Sequence, residues 1–172
     1  MAFLARAISL KLIRALSLGC EIANHTNNHE GFGKNDIGVI NESLKACSDT
    51  VYKAIGIRPF LVRPPGGIYR NEIGEICDIG YPIILWSMDT KDFEDGKTKS
   101  DVLDTVKSRA FDGAIVLMHD IHEPSVLAAD ELFSYLKDKG YQLVTVREII
   151  EFSDLELVPG YVYTSANKVY KK

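Results

Sequence analysis

All four histidines of this sequence fall in two short segments, His25-Thr26-Asn27-Asn28-His29 and His119-Asp120-Ile121-His122. Imidazole suits two tasks, holding a divalent ion of borderline softness and moving protons near neutral pH. Two histidines four apart can lie on one helical face and chelate one ion, a geometry that suits zinc. A histidine after a strand is also a common structural residue, and H-x-x-x-H recurs by chance, so the pair alone leaves both readings open. Two further segments gather polar chemistry. Arg63-Pro64-Pro65-Gly66-Gly67 sets a guanidinium beside a stretch that forbids regular structure, and Trp86-Ser87-Met88-Asp89-Thr90-Lys91-Asp92-Phe93 carries two carboxylates behind an apolar run. Taken singly, Arg63 reads more simply as a surface arginine, and Asp89, Asp92, Glu94 and Asp95 as a solvated acidic loop.

The elements that must position these segments alternate between helix and strand. Leu4, Ile8, Leu12 and Leu16 recur every fourth residue and predict a helix over 3–18, stopped by Gly19. Arg6, Lys11 and Arg14 interrupt the unbroken apolar core that a signal peptide needs, which favours the helix. A short strand, Glu21–Asn24, leads into His25. Asp36 can cap a long helix traced by Ile37, Ile40, Leu44, Val51 and Ile55. Phe60–Val62 reads as a strand, Asn71–Ile79 as a helix and Ile83–Trp86 as a strand. Ser100 can cap a helix through Phe111, followed by a strand at Ala114–Met118. Pro124 or Ser125 starts a helix to Lys139, and Gln142–Val146 reads as a last strand. Apolar strands separated by helices indicate a parallel sheet buried on both faces, hence an α/β protein, barrel-like or doubly wound. The histidines and Asp92 then fall where strands end, the rim on which such folds build active sites.

At 172 residues and 46% hydrophobic, the chain suits one domain with a sizeable core. Residues 1–158 are expected to form it, with 159–172 a polar tail that packs loosely. A net charge of −4 and a pI near 5.6 argue against a nucleic-acid partner, whose binding rests on clustered cations. Cys20, Cys47 and Cys77 are scattered and odd in number, which suggests free thiols. No run is long enough for a membrane span.

Four segments in order resemble the polysaccharide deacetylase family, the NodB-homology domain of carbohydrate esterases. Gly19-Cys20-Glu21-Ile22-Ala23-Asn24-His25-Thr26-Asn27-Asn28-His29 is similar to its metal-binding motif. Phe60–Gly67 resembles its R-x-P-[YG]-G segment, Trp86–Phe93 its W-S-x-D-x-x-D-W, and Ile115–His122 its final L-x-H strand. The resemblance implies a distorted, incomplete (β/α) barrel with His25, His29, Arg63, Asp92 and His119 gathered at the strand ends. It implies His25 and His29 as ligands of a divalent metal, zinc or alternatively cobalt. The Gly66 N–H would bind the oxyanion, His119 would act as general acid, and Asp92 would hold it protonated. Leu117, Trp86 and Phe93 would line the substrate side, and Arg63 would orient the base. His122 receives no role. The implied substrate is an N-acetylglucosamine polymer, peptidoglycan or chitin-like, and family members are usually extracellular or at the cell surface.

The family's first motif, [ST]-F-D-D-G-P, has no counterpart, since no Asp or Glu precedes Glu21. In the family its first aspartate is the general base and its second the third protein ligand of the metal. The chain is therefore expected to be truncated ahead of its second motif, with activity impaired. The alternative is a non-catalytic deacetylase-like module that binds sugar or a partner. Loss of the first strand would leave Glu21–Asn24 an open edge, so a homo-oligomer covering that edge is expected.

Overall fold

The computed structural model describes residues 2–33, 35–70, 76–77 and 79–170, with side chains from residue 9 onward. In chain order the elements are α1 (Ala2–Ser17), α2 (Ile37–Ile55), a 3-10 turn (Pro65–Gly67), β1 (Ile83–Ile84), β2 (Met88–Asp89), α3 (Lys99–Arg109), β3 (Val116–Leu117), α4 (Glu123–Asp138), α5 (Val146–Glu151), β4 (Val162–Ser165) and β5 (Lys168–Tyr170). They divide into two compact units: Met1–Leu85 with Leu155–Tyr163 and Val169–Lys172, and Trp86–Asp154 with Thr164–Lys168.

In the first unit α1 packs on α2, with Leu12 and Leu16 half-buried and Leu10 and Ile13 exposed. Gly19 (φ 85°) lets the Cys20 N–H turn back onto the Ala15 carbonyl at 3.0 Å, which ends the helix as expected. Asp36 caps α2 through the Gly38 N–H at 2.7 Å. Helical spacing then turns Ile40, Ser43, Leu44 and Ser48 inward. The strands expected at Glu21–Asn24 and Phe60–Val62 shrink to single parallel bridges, Asn24 to Val62 and Val62 to Ile83. β1 continues the parallel series onto β4 through Ile83–Val162 and Ile84–Tyr163. Phe32, Ile40, Leu44, Val62, Ile83 and Val162 meet in the core, none more than 1% exposed. Each such side chain contributes about 1.5–3 kcal/mol by leaving water.

That pairing corrects the expectation of a loose segment after Pro159. Val162 and Tyr163 are buried in β4, and the Tyr163 hydroxyl donates to the Glu156 carbonyl at 2.5 Å and accepts from the Val158 N–H at 2.8 Å. The composition is polar, yet Val162, Tyr163 and Ser165 of the strand are all buried once it pairs with β1. The helix expected over Asn71–Ile79 lies largely outside the described residues, and Ile76 forms an antiparallel bridge with Arg70 instead.

In the second unit β2 pairs parallel with β3, Met88 with Val116 and Asp89 with Leu117. α3 and α4 pack together over Met88, burying Val102, Val106, Ala128 and Leu132. α3 starts at a capping box of Thr98 and Asp101 rather than at Ser100. The strand expected at Gln142–Val146 is absent. Gln142, Leu143 and Val144 are exposed, and Thr145 and Glu148 form a second capping box that opens α5. The T-x-x-E spacing satisfies two backbone donors at once, and it outweighs the β-branched residues around it. The architecture is α/β with parallel pairing, and the described strands form one three-stranded and one two-stranded sheet.

Candidate active site

His25 follows the Asn24 bridge at the C-terminal end of the parallel series. Asn24 is fully buried, its side-chain amide donating to the Leu44 carbonyl at 2.8 Å and its Oδ1 accepting the Thr26 N–H at 2.9 Å. His25 Nδ1 lies 2.6 Å from the Arg63 carbonyl oxygen. A carbonyl only accepts, so Nδ1 carries the proton and the lone pair sits on Nε2, the nitrogen a metal would need. The His25 and His29 rings are 5.0 Å apart at 73°. They do not share a helical face, as their spacing suggested. The segment is a loop with left-handed backbone at Thr26 (φ 63°) and His29 (φ 64°). Such a conformation is costly for a β-branched threonine, and it persists only where surroundings enforce it.

Here the surroundings are a polar lattice on α2. The Glu30 carboxylate accepts from the Ser43 hydroxyl at 2.5 Å, the Asn28 side chain at 2.8 Å and the Asn28 N–H at 3.0 Å. Ser43 in turn accepts the Asn27 N–H, and the Glu30 N–H donates to Thr26 Oγ1. The Ser43 hydrogen bond, with smaller help from Asn28, holds the Glu30 carboxyl down at about 2. Two imidazoles so arranged fit one divalent ion as a partial ligand set. Among the described residues no group of three or more His, Cys, Asp or Glu side chains is placed to hold an ion.

Arg63 begins the next strand-end segment, its N–H donating to the Asn24 carbonyl at 2.9 Å. Among the described residues its buried Nε has no hydrogen-bond partner, and burial pulls the guanidinium below its ordinary value. The 3-10 turn beyond it closes through Gly67 N–H to Pro64 O and Ile68 N–H to Pro65 O, which leaves the exposed Gly66 N–H out of the turn's own bonds. Gly66 itself is left-handed (φ 63°), a conformation that a tyrosine would adopt only under strain.

The second unit holds the remaining residues. Asp92 and His119 follow β2 and β3, again at the C-terminal ends of a parallel pair. Asp92 is 2% exposed, far from a solvated loop residue. One oxygen accepts from His119 Nδ1 at 2.7 Å; the other accepts the His119 backbone N–H at 2.7 Å and the Ser125 hydroxyl. Burial alone would push Asp92 up, but the hydrogen bonds from Ser125 and His119 outweigh it and hold the carboxyl below its ordinary value. Phe93 and His122 meet the His119 ring edge-on, with centroids 5.6 and 5.5 Å away. Leu117 is buried beside this pair and Trp86 is half-buried ahead of Ser87, whose hydroxyl takes the Ile115 N–H. Ser125, Ser43 and Glu30 went unread in the sequence. The first reads in sequence only as a possible helix start, and the other two become polar partners only once α2 lies against the loop.

A carboxylate–imidazole pair in one unit and a paired-histidine loop in the other can be set beside known proteins. Residues 9–83 match the family profile of polysaccharide deacetylases. Peptidoglycan-N-acetylmuramic acid deacetylase PdaC of Bacillus subtilis is 38% identical over 143 residues, covering 81% of this chain and 29% of the relative. A solved T48 deacetylase, determined with substrate, superposes with a TM-score of 0.82 at 32% identity, over 92% of this chain and 77% of the other. This chain belongs to the polysaccharide deacetylase family. A CE4 family pseudoenzyme from Bacillus anthracis also superposes, with a TM-score of 0.67 at 26% identity over 74% of this chain and 45% of its own. The polysaccharide deacetylase motifs read in the sequence therefore mark true kinship, and kinship extends to a protein described as a pseudoenzyme. The chain spans under a third of the length of the first curated relatives it matches, 29% and 28%. Among the described residues no helix is long and apolar enough to cross a membrane.

Proposed function

We propose that this chain removes N-acetyl groups from amino-sugar polymers, peptidoglycan foremost, on a distorted, incomplete (β/α) barrel. The observation that carries the reading is the buried Asp92 carboxylate bonded to His119 Nδ1. With Nδ1 committed, His119 delivers a proton from Nε2, as a general acid must to expel a sugar amine. His25 and His29 hold the divalent metal, zinc or cobalt, which when bound polarises the acetyl carbonyl and acidifies a water. The Gly66 N–H receives the developing oxyanion. Arg63 orients a carboxylate base, and its buried, unpartnered Nε is in keeping with an acceptor from outside the described residues. Leu117 and Trp86 face the acetyl group, and Phe93 shields the His119 ring. The peptidoglycan preference rests on the name of the Bacillus subtilis relative, which specifies N-acetylmuramic acid. The same reading includes a homo-oligomer that covers the strand edge at Glu21–Asn24.

The pseudoenzyme neighbour favours a second reading, a sugar-binding module without turnover. Acetate release separates the two. Peptidoglycan and N-acetylglucosamine oligomers are treated, with zinc or cobalt, with this chain, its His25→Ala and His119→Ala variants, and the chain extended upstream by a segment bearing an Asp-Asp pair. The expected result is little acetate from the chain itself and strong release, dependent on both histidines, from the extended protein. General-base assistance of about 10²–10⁴ in rate is the difference at stake. An extended protein that binds glycan yet releases nothing establishes the sugar-binding reading. Robust His25-dependent turnover by the chain alone means another carboxylate, Asp120 for example, serves as base.

A further inference from the structure

Ser125 occupies a position where serine ordinarily needs no special account, the first turn of a helix. Serine at a helix start usually caps it. Here it does not. The cap position of α4 is His122, which makes no side-chain cap, and Ser125 lies three residues inside. Its side chain is 3% exposed, and its hydroxyl donates to Asp92, 33 residues earlier in the chain. A buried hydroxyl aimed away from its own helix and onto a buried carboxylate is committed to that carboxylate.

We propose that Ser125 is a positioning residue, its hydroxyl orienting the Asp92 carboxylate so that His119 keeps its proton on Nδ1. The division of labour on the carboxylate supports this. Among the described residues Oδ1 serves His119 Nδ1, while Oδ2 takes two donors, the His119 N–H and the Ser125 hydroxyl. The two donors on Oδ2 pin the carboxylate plane, so Oδ1 cannot swing off the imidazole. Without the hydroxyl, Oδ2 keeps only one donor inside a site that already penalises charge by burial. The groups facing His119 are Asp92, the His122 ring and the Phe93 edge, and neither ring replaces the lost donor. The N-terminal end of α4 adds a favourable field for the anion but no fixed direction at the carboxylate. The inference rests on the proposed role of His119 as general acid, but its test does not depend on turnover.

The test is nitrogen-15 NMR of the histidine side chains in the full chain, as wild type and as Ser125→Ala, Ser125→Cys and Ser125→Thr. In the wild type, neutral His119 is expected as a single Nδ1–H tautomer. Ser125→Ala is expected to give a mixture of both His119 tautomers, with Ser125→Cys intermediate because a thiol donates weakly. Ser125→Thr is expected to restore the wild-type pattern. His25 and His29, in the other unit, serve as internal controls and keep their signals throughout. An unchanged His119 tautomer in folded Ser125→Ala overturns the proposal. So does unfolding of both Ser125→Ala and Ser125→Cys, which would make the hydroxyl a stability element. If the tautomer behaves as expected and the extended protein still releases no acetate, the positioning role stands and the de-N-acetylase reading fails.

Discussion

The histidine loop of the first unit and the acid pair of the second reach the same end, a fixed imidazole, by opposite means. His25 and His29 are exposed, and the loop that carries them is held by strained backbone and by Glu30 and Ser43 behind it. His119 is held from within by a carboxylate buried to 2% exposure and fed by three donors. The contrast matches the chemistry proposed for each. A metal ligand needs a lone pair presented outward, so its supports lie beneath it. A general acid needs one nitrogen committed and one open, so its partner is buried and takes the committed proton. In each case, what holds the imidazole is the set of hydrogen bonds around it.

The sharpest break of this comparison concerns metal uptake. His25→Ala is expected to abolish measurable zinc binding by calorimetric titration, whereas Asp92→Ala leaves it unchanged. Equal loss in both variants would show that the Asp92 carboxylate also supports metal uptake. Stability should reverse the ranking. Asp92→Ala strands the Ser125 hydroxyl and two donors of His119 and is expected to cost about 2–4 kcal/mol in urea unfolding. The figure lies below that of a fully enclosed ion pair because His119 remains 35% exposed. His25→Ala, at the surface, should move stability by no more than about 0.5 kcal/mol.

Acid separates the regions more gently. Both carboxyls are depressed in the folded chain, so each contributes stability that is complete above its unfolded value and fades as pH falls through its folded one. For Glu30 that window runs from 4.5 down to about 2. For Asp92 it opens below 3.8. Asp92→Asn should therefore flatten the loss of stability below pH 3.8 and change nothing near neutrality apart from a constant offset, as followed by circular dichroism. A variant whose acid profile parallels the wild type would show that Asp92 is not ionised in the native pair. The smallest effect is expected at Glu30→Gln. The amide keeps the shape but loses acceptor strength toward Ser43 and Asn28, so zinc should bind several-fold more weakly while the His119 NMR signals stay in place. A His119 shift in that variant would show that Glu30 also supports the Asp92–His119 pair.

Residue type and order in the sequence carried a large part of this description. The alternation of apolar runs with amphipathic helices establishes an α/β chain with parallel pairing, because period and length are local properties. The motifs around His25, Arg63, Asp92 and His119 could be read because a rim residue directly follows its strand. Where the reading fell short, the deciding contact was distant. Asp92 looks like one acid of a solvated loop until burial and the partners at 119 and 125 are seen. Val162 and Tyr163 look like a loose tail until β1, about 80 residues earlier, supplies the pairing edge. The histidine spacing is compatible with a helix, and only the hydrogen bonds from Asn24, Ser43 and Glu30 make it a left-handed loop. Local sequence determined which groups stand ready at the ends of the strands. Which of them are buried, ionised and paired was decided by tertiary structure alone, because desolvation and hydrogen bonding depend on neighbours that sequence separation hides.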